Sequence, residues 1–251
     1  VPESGLYRAL VVLELALAIP TFISLRFITA PYGRYGRSGW GPSVPARVAW
    51  VVMESPAPLL FAGVYATGPH RAGLVPLLLL ALWELHYVHR TFIYPIWIRP
   101  GARVPVGVMA MAVAFNVLNA WINARWVAAL GNYPHTWLTD PRFLVGAALF
   151  LAGLALNITS DRALRRLRGP GESGYRVPRG GAFEWVSCPN YLGEMAEWAG
   201  WALATWSVAG LAFAAYTAAN LAPRALAHHD WYRERFPDYP PRRRALIPYL
   251  L

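Results

Sequence analysis

Seven apolar stretches set the terms for this chain. They cover about residues 6–28, 47–67, 74–97, 104–130, 143–157, 191–206 and 208–226, each bounded by Gly, Pro or charge. A helix needs about 20 mostly apolar residues to cross a bilayer core about 30 Å thick. Seven such helices take about 140 residues, which a chain of 251 supplies with loops to spare. Charged residues make up 14%, where soluble domains carry about 25%. Twelve Trp, thirteen Tyr and ten Phe suit membrane interfaces and exclude disorder. The reading is an all-α, multi-pass membrane protein forming one domain over residues 1–251. Residues 6–28 have the hydropathy of a secretory signal. The length of the run, Glu14 within it and the lack of an A-x-A site make it a span instead.

All 23 basic residues are arginine, which excludes a Lys Schiff base and a Lys-dependent phosphate loop. The single cysteine, Cys188, excludes an internal disulfide and a multi-Cys zinc site, and no metal is expected. A net charge of +10 raises the question of nucleic acid. With seven spans and the N-terminus outside, seventeen arginines fall on the cytoplasmic side, three opposite and three within spans. That asymmetry is the positive-inside signal. It accounts for the charge without nucleic acid and puts the C-terminus in the cytoplasm. The use of Arg in place of Lys points to a GC-rich bacterial genome. The membrane is then the bacterial inner membrane; for a eukaryotic chain it is the endoplasmic reticulum.

Two segments break the apolar pattern. Residues 160–189 read as a polar, Gly/Pro-rich cytoplasmic loop, long enough to be functional. The tail after Leu226 is equally polar. Within the spans lie Glu54; Glu84, His86, Tyr87, His89, Arg90 and Tyr94; Asn116, Asn119 and Asn123; and Tyr191, Glu194 and Glu197. Ionisable groups at membrane depth point to function. These stripes imply a polar cavity open toward the basic side. Blander readings stand beside that one. The asparagines serve as interhelical glue. His89–Arg90 is an interfacial anchor that snorkels. Glu14 and Glu84 are near-surface or structurally paired. Arg242–Arg244 contact lipid headgroups. Cys188 is a packing residue.

Several blocks occur in a recognisable order: HYVHRTFIYP at 86–95, LTDPRF at 138–143, and NITSDRALRRLRGPGESGYRVPRGGAFEWVSCPNYLGEMAEW at 157–198. They are followed by GWALATWS at 200–207, RALAHHDWYRERFPDYP at 224–240 and ALIP at 245–248. Together they resemble the steroid 5-alpha-reductase family over about residues 45–250. Before that only PYGRY at 31–35 matches.

The resemblance implies NADPH-dependent reduction of the 4,5 double bond of 3-oxo-Δ4-steroids. It also implies a seven-span fold with the cofactor in a cytoplasm-facing cavity. The substrate pocket then comes mainly from the first four spans and the cofactor site mainly from 157–244. Glu54 and Tyr87 match the pair that engages the 3-keto oxygen. Asn157, Asp161, Arg168, Tyr175, Arg176, Asn190, Glu194, His228 and Tyr232 match cofactor positions. Ser160, Arg165, Arg179 and Arg99 or Arg103 are further phosphate contacts. Asp230 departs from the pattern, since relatives often continue the His228–His229 run with another His.

The implied partners are a steroid and the lipid bilayer, and a monomer is compatible with them. Hydride delivered to the β-carbon of an enone builds charge on its carbonyl oxygen, which hydrogen-bond donors stabilise. Tyr87 donates through its hydroxyl; Glu54 donates only when it carries a proton. The fragment GPGESG at 169–174 lacks Rossmann spacing and context. Other readings of the same features are a related sterol or enoyl reductase, an isoprenylcysteine-type methyltransferase using S-adenosylmethionine, and a lipid or anion transporter. No inverted repeat supports the last.

Overall fold

The computed structural model describes residues 2–31, 33–167, 169 and 174–251. Eight α-helices account for most of them: α1 Pro2–Phe27, α2 Ala46–Glu54, α3 Pro56–Thr67, α4 Leu74–Val88, α5 Val106–Arg125, α6 Pro141–Arg166, α7 Pro189–Thr205 and α8 Val208–Arg235. Four helical runs are long and apolar enough to cross a membrane: Gly5–Phe27, Ala46–Thr67, Val106–Leu130 and Pro141–Arg166. The other three apolar stretches fall outside those bounds for local reasons. Residues 74–97 divide into α4, a π turn at His89–Ile93 and a 3-10 turn at Tyr94–Trp97. Helix α7 has 17 residues. Helix α8 dilutes its apolar run with Asn220, Pro223 and Arg224.

Two helices run further than the hydropathy boundaries. Helix α6 continues through 160–166, part of the expected loop. No Gly or Pro interrupts it before Gly169, and Arg165 and Arg166 in its last turn suit the negative end of the helix dipole. Its start is set by Asp140, which caps the Arg142 N–H at 2.9 Å, with Pro141 at the first helical position. The Arg142 guanidinium also grips Asp140 and holds its carboxyl down at about 2. Helix α8 likewise runs past the last apolar stretch to Arg235. A short antiparallel pair, β1 Ser43–Pro45 and β2 Arg103–Pro105, is the one sheet among the described residues, with an isolated parallel bridge between Val186 and Arg244 besides. It clips the loop before α2 to the loop before α5, and Arg103 donates to the Ser43 carbonyl.

Helix α1 attaches along a narrow seam. Tyr7, Val11 and Glu14 are buried, and Ala18, Thr21 and Leu25 continue the 4-3 spacing while most other positions are exposed. That is the spacing of one helix laid along another. The Tyr7 hydroxyl donates to the Ile122 carbonyl on α5 at 3.3 Å. Glu14 is fully buried, and among the described residues both its carboxyl oxygens lack a hydrogen-bond partner, so it is not near-surface and pairs with none of them. It lies inside the seam because its position in the repeat outweighs its polarity.

The closest helix packing is between α6 and α7. A Cβ on Gly153 would stand 2.5 Å from the Gly193 carbonyl oxygen, and one on Gly193 would stand 2.6 Å from the Asn157 backbone nitrogen. The backbones touch there, so Asn157 on α6 and Glu194 on α7 have fixed relative positions. Gly193→Ala should cost about 1–3 kcal/mol by overpacking. A thermal melt of the purified protein checks this, and an unchanged midpoint would mean that the helices part without penalty. The core between the helices is aromatic: Phe61, Trp83, Tyr87, Phe150, Trp198, Trp201 and Phe213 are all buried in one cluster.

Candidate active site

Glu54 is the last residue of α2, next to a proline break. Pro56 has no N–H to offer the Val52 carbonyl, and the Ser55 hydroxyl donates to that carbonyl instead at 3.2 Å. The break leaves Glu54 pointing at α5. There the Asn116 amide donates to the Met53 carbonyl at 2.8 Å and to the Glu54 carboxyl at 3.3 Å. Asn116 is thus both interhelical glue and a partner of Glu54.

Arg90 stands at the centre of the polar interior. The π turn His89–Ile93 widens the helix after α4 and carries Arg90 inward; such turns concentrate at functional sites. Its guanidinium lies against the rings of Trp50 and Tyr94, 4.9 and 4.8 Å from their centroids, while the two rings contact each other at 5.1 Å. It reaches Glu54 at 4.0 Å, Asp161 at 3.8 Å and Glu194 at 4.0 Å. Its side chain is 19% exposed, so the snorkelling anchor is corrected. Three carboxylates in a low-dielectric interior are a stronger attraction than the interface. The network continues beyond them. Asn190 donates to Asp161 at 3.0 Å, and Asn157 donates to the Asn190 carbonyl at 3.0 Å and to Glu194 at 3.4 Å.

Tyr87 lies deeper and is buried among rings. Trp83, His86 and Trp198 surround it at centroid distances of 4.8, 4.8 and 5.6 Å. Among the described residues its hydroxyl has no hydrogen-bond partner. His86 beside it meets Glu197 across the helices, Nδ1 to Oε1 2.8 Å. Further along the core, Asn123 donates to Asn119 at 2.8 Å and accepts from Trp201 at 2.8 Å.

Next to the network is a cavity of about 1330 Å³. Arg99, Arg162, Arg165, Arg166 and Arg224 are on its wall, and Asp161 and Asn190 belong both to it and to the network. One Arg165 terminal nitrogen is buried without a hydrogen-bond partner, while its guanidinium lies over Tyr94 and Trp97. An orphaned donor among arginines fits a polyanion. The size exceeds the 300–1,000 Å³ or so usual for a drug-sized ligand and accommodates a dinucleotide. His228 on this wall is held at both ring nitrogens, by Tyr35 at 3.0 Å and Tyr191 at 3.2 Å, and Arg224 donates to Tyr191 at 3.0 Å. A neutral imidazole donates through one nitrogen and accepts at the other, so the tyrosines take opposite roles. Among the described residues no cluster of His, Cys, Asp and Glu is arranged to hold a metal.

Comparison with known proteins places the sequence in a family. The sequence profile of the family described as 3-oxo-5-alpha-steroid 4-dehydrogenase matches residues 102–251. The bovine (Bos taurus) 3-oxo-5-alpha-steroid 4-dehydrogenase 1 is 44% identical over 253 residues, covering 99% of this chain and 98% of the relative. The human (Homo sapiens) 3-oxo-5-alpha-steroid 4-dehydrogenase 1 is 42% identical, covering 100% and 97%. Steroid 5-alpha-reductase DET2 of Arabidopsis thaliana is 45% identical, covering 92% and 91%. The chain belongs to the 3-oxo-5-alpha-steroid 4-dehydrogenase family. It is a membrane protein of an oxidoreductase family.

Of the residues that the family resemblance singles out, Asn157, Asp161, Asn190 and Glu194 form one hydrogen-bonded unit, which Arg90 joins through ion pairs at 3.8 and 4.0 Å. Tyr175, His228 and Tyr232 are on the cavity wall with Asp161 and Asn190. Arg176 is exposed, one residue beyond that wall. Arg168 falls outside the described residues. Arg179 pairs with Asp238 at 3.5 Å on the surface and Arg103 serves the β clip, so neither is on the cavity wall. Ser160 is buried on α6.

Arg90, Trp50, Tyr35 and Arg224 were not recognised as site residues. Arg90 was within reach of sequence reasoning. His86 and Arg90 are four apart, and Glu194 and Glu197 three apart, which is complementary spacing on two facing helices. Arg243 corrects another expectation, since it is buried rather than at a headgroup. The tail folds back, its Arg244 and Ala245 carbonyls accepting from the Ser187 and Cys188 N–H groups, and this carries Arg243 over the ring of Tyr239. Cys188 packs among Ala225, Ala245 and Leu246, as a packing residue should.

Proposed function

We propose that the chain is an NADPH-dependent steroid 5-alpha-reductase. It reduces the 4,5 double bond of 3-oxo-Δ4-steroids by hydride transfer to C5, with the 3-keto oxygen polarised by Glu54 and Tyr87; a proton taken up at C4 then converts the enolate to the saturated ketone. One observation carries this reading. A single guanidinium, Arg90, joins the Glu54 carboxyl to Asp161 on the arginine-rich cavity. The reduction needs an anionic dinucleotide and a ketone-gripping donor within one contact chain, and Arg90 links the two.

NADPH supplies the hydride from its nicotinamide. Asn157, Asp161, Arg168, Tyr175, Arg176, Asn190, Glu194, His228 and Tyr232 hold and orient it, and the wall arginines take its phosphates. Tyr87 aims a hydroxyl at the developing enolate oxygen. Glu54 acts with it as a donor when protonated, and one guanidinium among three carboxylates leaves charge unbalanced unless the cluster retains a proton. The aromatic core excludes water from the reaction.

The proposed topology has seven spans, an outside N-terminus and a cytoplasmic C-terminus, supported by the arginine asymmetry. The single domain takes its substrate pocket mainly from the first four spans and its cofactor site mainly from 157–244. The partners are a steroid and the bilayer, in the bacterial inner membrane or the endoplasmic reticulum according to the host.

The deciding experiment incubates detergent-purified protein with NADPH and testosterone or progesterone and identifies the product. A 5α-reduced ketone with matching NADPH oxidation is expected; neither steroid being consumed would sink the proposal. A second test compares two variants of Glu54. Glu54→Gln should keep more activity than Glu54→Leu, because the amide still donates. The reverse order would make carboxylate charge, rather than donation, the working property.

A further inference from the structure

Two polar rungs tie α4 and its π turn to α7. Arg90 reaches Glu194, and one turn away His86 reaches Glu197. The positions rise on one helix as they fall on the other, so the helices run antiparallel. The Arg90 rung belongs to the network beside the cavity. The His86 rung has no part in the chemistry described so far.

That rung lies in the aromatic interior. The His86 side chain is 4% exposed and that of Glu197 is fully buried. The second Glu197 oxygen has no hydrogen-bond partner. An apolar pair of the same shape would pack at least as well, because desolvating an imidazole and a carboxyl costs about as much as their attraction returns. A directional bond, unlike apolar packing, fixes an angle.

The side chain that needs a fixed angle is Tyr87. Its hydroxyl has no hydrogen-bond partner among the described residues, so ring contacts alone set its aim. Trp83 is one turn back on the same helix and moves with it. His86 and Trp198 are the contacts that refer Tyr87 to α7. The His86 ring meets Tyr87 edge to face at 77° and also contacts Trp198 at 4.7 Å. Glu197, which holds His86, directly precedes Trp198. Two residues past Tyr87 the regular helix gives way to the π turn, so backbone regularity beyond it does not hold the rotation of α4.

We infer that the Glu197–His86 pair is a positioning device for Tyr87, locking the rotation of α4 so that the phenol hydroxyl meets the substrate carbonyl oxygen. This rests on the reading of Tyr87 as the oxyanion donor. His86 and Glu197 touch neither substrate nor cofactor in it; they act through Tyr87.

A double-mutant cycle on the full-length purified protein tests it. His86→Leu should lower kcat by about 10²-fold, the scale of a small misplacement of a catalytic group, with NADPH affinity by direct titration unchanged. His86→Gln, which still reaches Glu197, should restore most of the loss. In a Tyr87→Phe background, His86→Leu should cost nothing further. Should His86→Leu fail to fold, Glu197→Met, which removes the other half of the pair, completes the same cycle. A crippled Tyr87→Phe enzyme in which the second substitution costs as much as it does alone overturns this inference and leaves the donor role of Tyr87 intact. A near-normal Tyr87→Phe enzyme removes the donor role itself, and the positioning role with it.

Discussion

Tyr87→Phe lowers kcat by about 10²–10³, the usual effect of removing one oxyanion donor, and leaves the melting temperature and NADPH affinity where they were. The substitution keeps the ring and its contacts with Trp83, His86 and Trp198. It removes only a hydroxyl that bonds nothing among the described residues, so no folded-state hydrogen bond is lost. The cost falls on the transition state, where charge collects on the carbonyl oxygen. Single-turnover kinetics at saturating NADPH measures it without interference from product release. Normal turnover would take Tyr87 out of the mechanism.

Arg90→Met has the largest expected effect on the fold. Met keeps apolar contact with the rings of Trp50 and Tyr94 but leaves Glu54, Asp161 and Glu194 without their shared cation. Breaking a buried pair by deleting one partner costs about 3–5 kcal/mol, because the remaining charge is stranded. The separations of 3.8–4.0 Å and the residual exposure argue for the lower end. The variant should melt earlier and lose NADPH binding together, since Asp161 and Asn190 are on the cavity wall. Arg90→Lys should recover only part, because an ammonium has no planar fork to lie against the ring pair and reach three carboxyls at once. Thermal melts paired with NADPH titration check both. Separate loss of stability and binding would mean that the network does not couple them.

Hydropathy located the helices because lipid demands an apolar run, and α1, α2–α3, α5 and α6 are recovered close to their apolar stretches. It misplaced the C-terminal ends of α6 and α8. Helices that leave the bilayer become polar without ceasing to be helical, and a hydropathy boundary marks the membrane surface instead of the last turn. The motif blocks found Asn157, Asp161, Asn190 and Glu194, which the fold brings into one network. Arg90 and Arg243 were misread for a shared reason. An arginine near a helix end or in a tail is usually solvated, and only the positions of distant partners reveal otherwise. Glu14 was misread because composition cannot say which face of a mostly lipid-exposed helix meets its neighbour.

The π turn at His89–Ile93 makes chain length a functional quantity. A π turn is an α-helix with one residue too many, so deleting any one of these five residues restores regular winding and still leaves a good helix. The chain beyond the turn would keep its phase, because the bulge already absorbs the extra residue, but the widened turn that carries Arg90 inward would be lost. Side-chain substitutions along this turn can be graded by chemistry, but an insertion or deletion there has no conservative form.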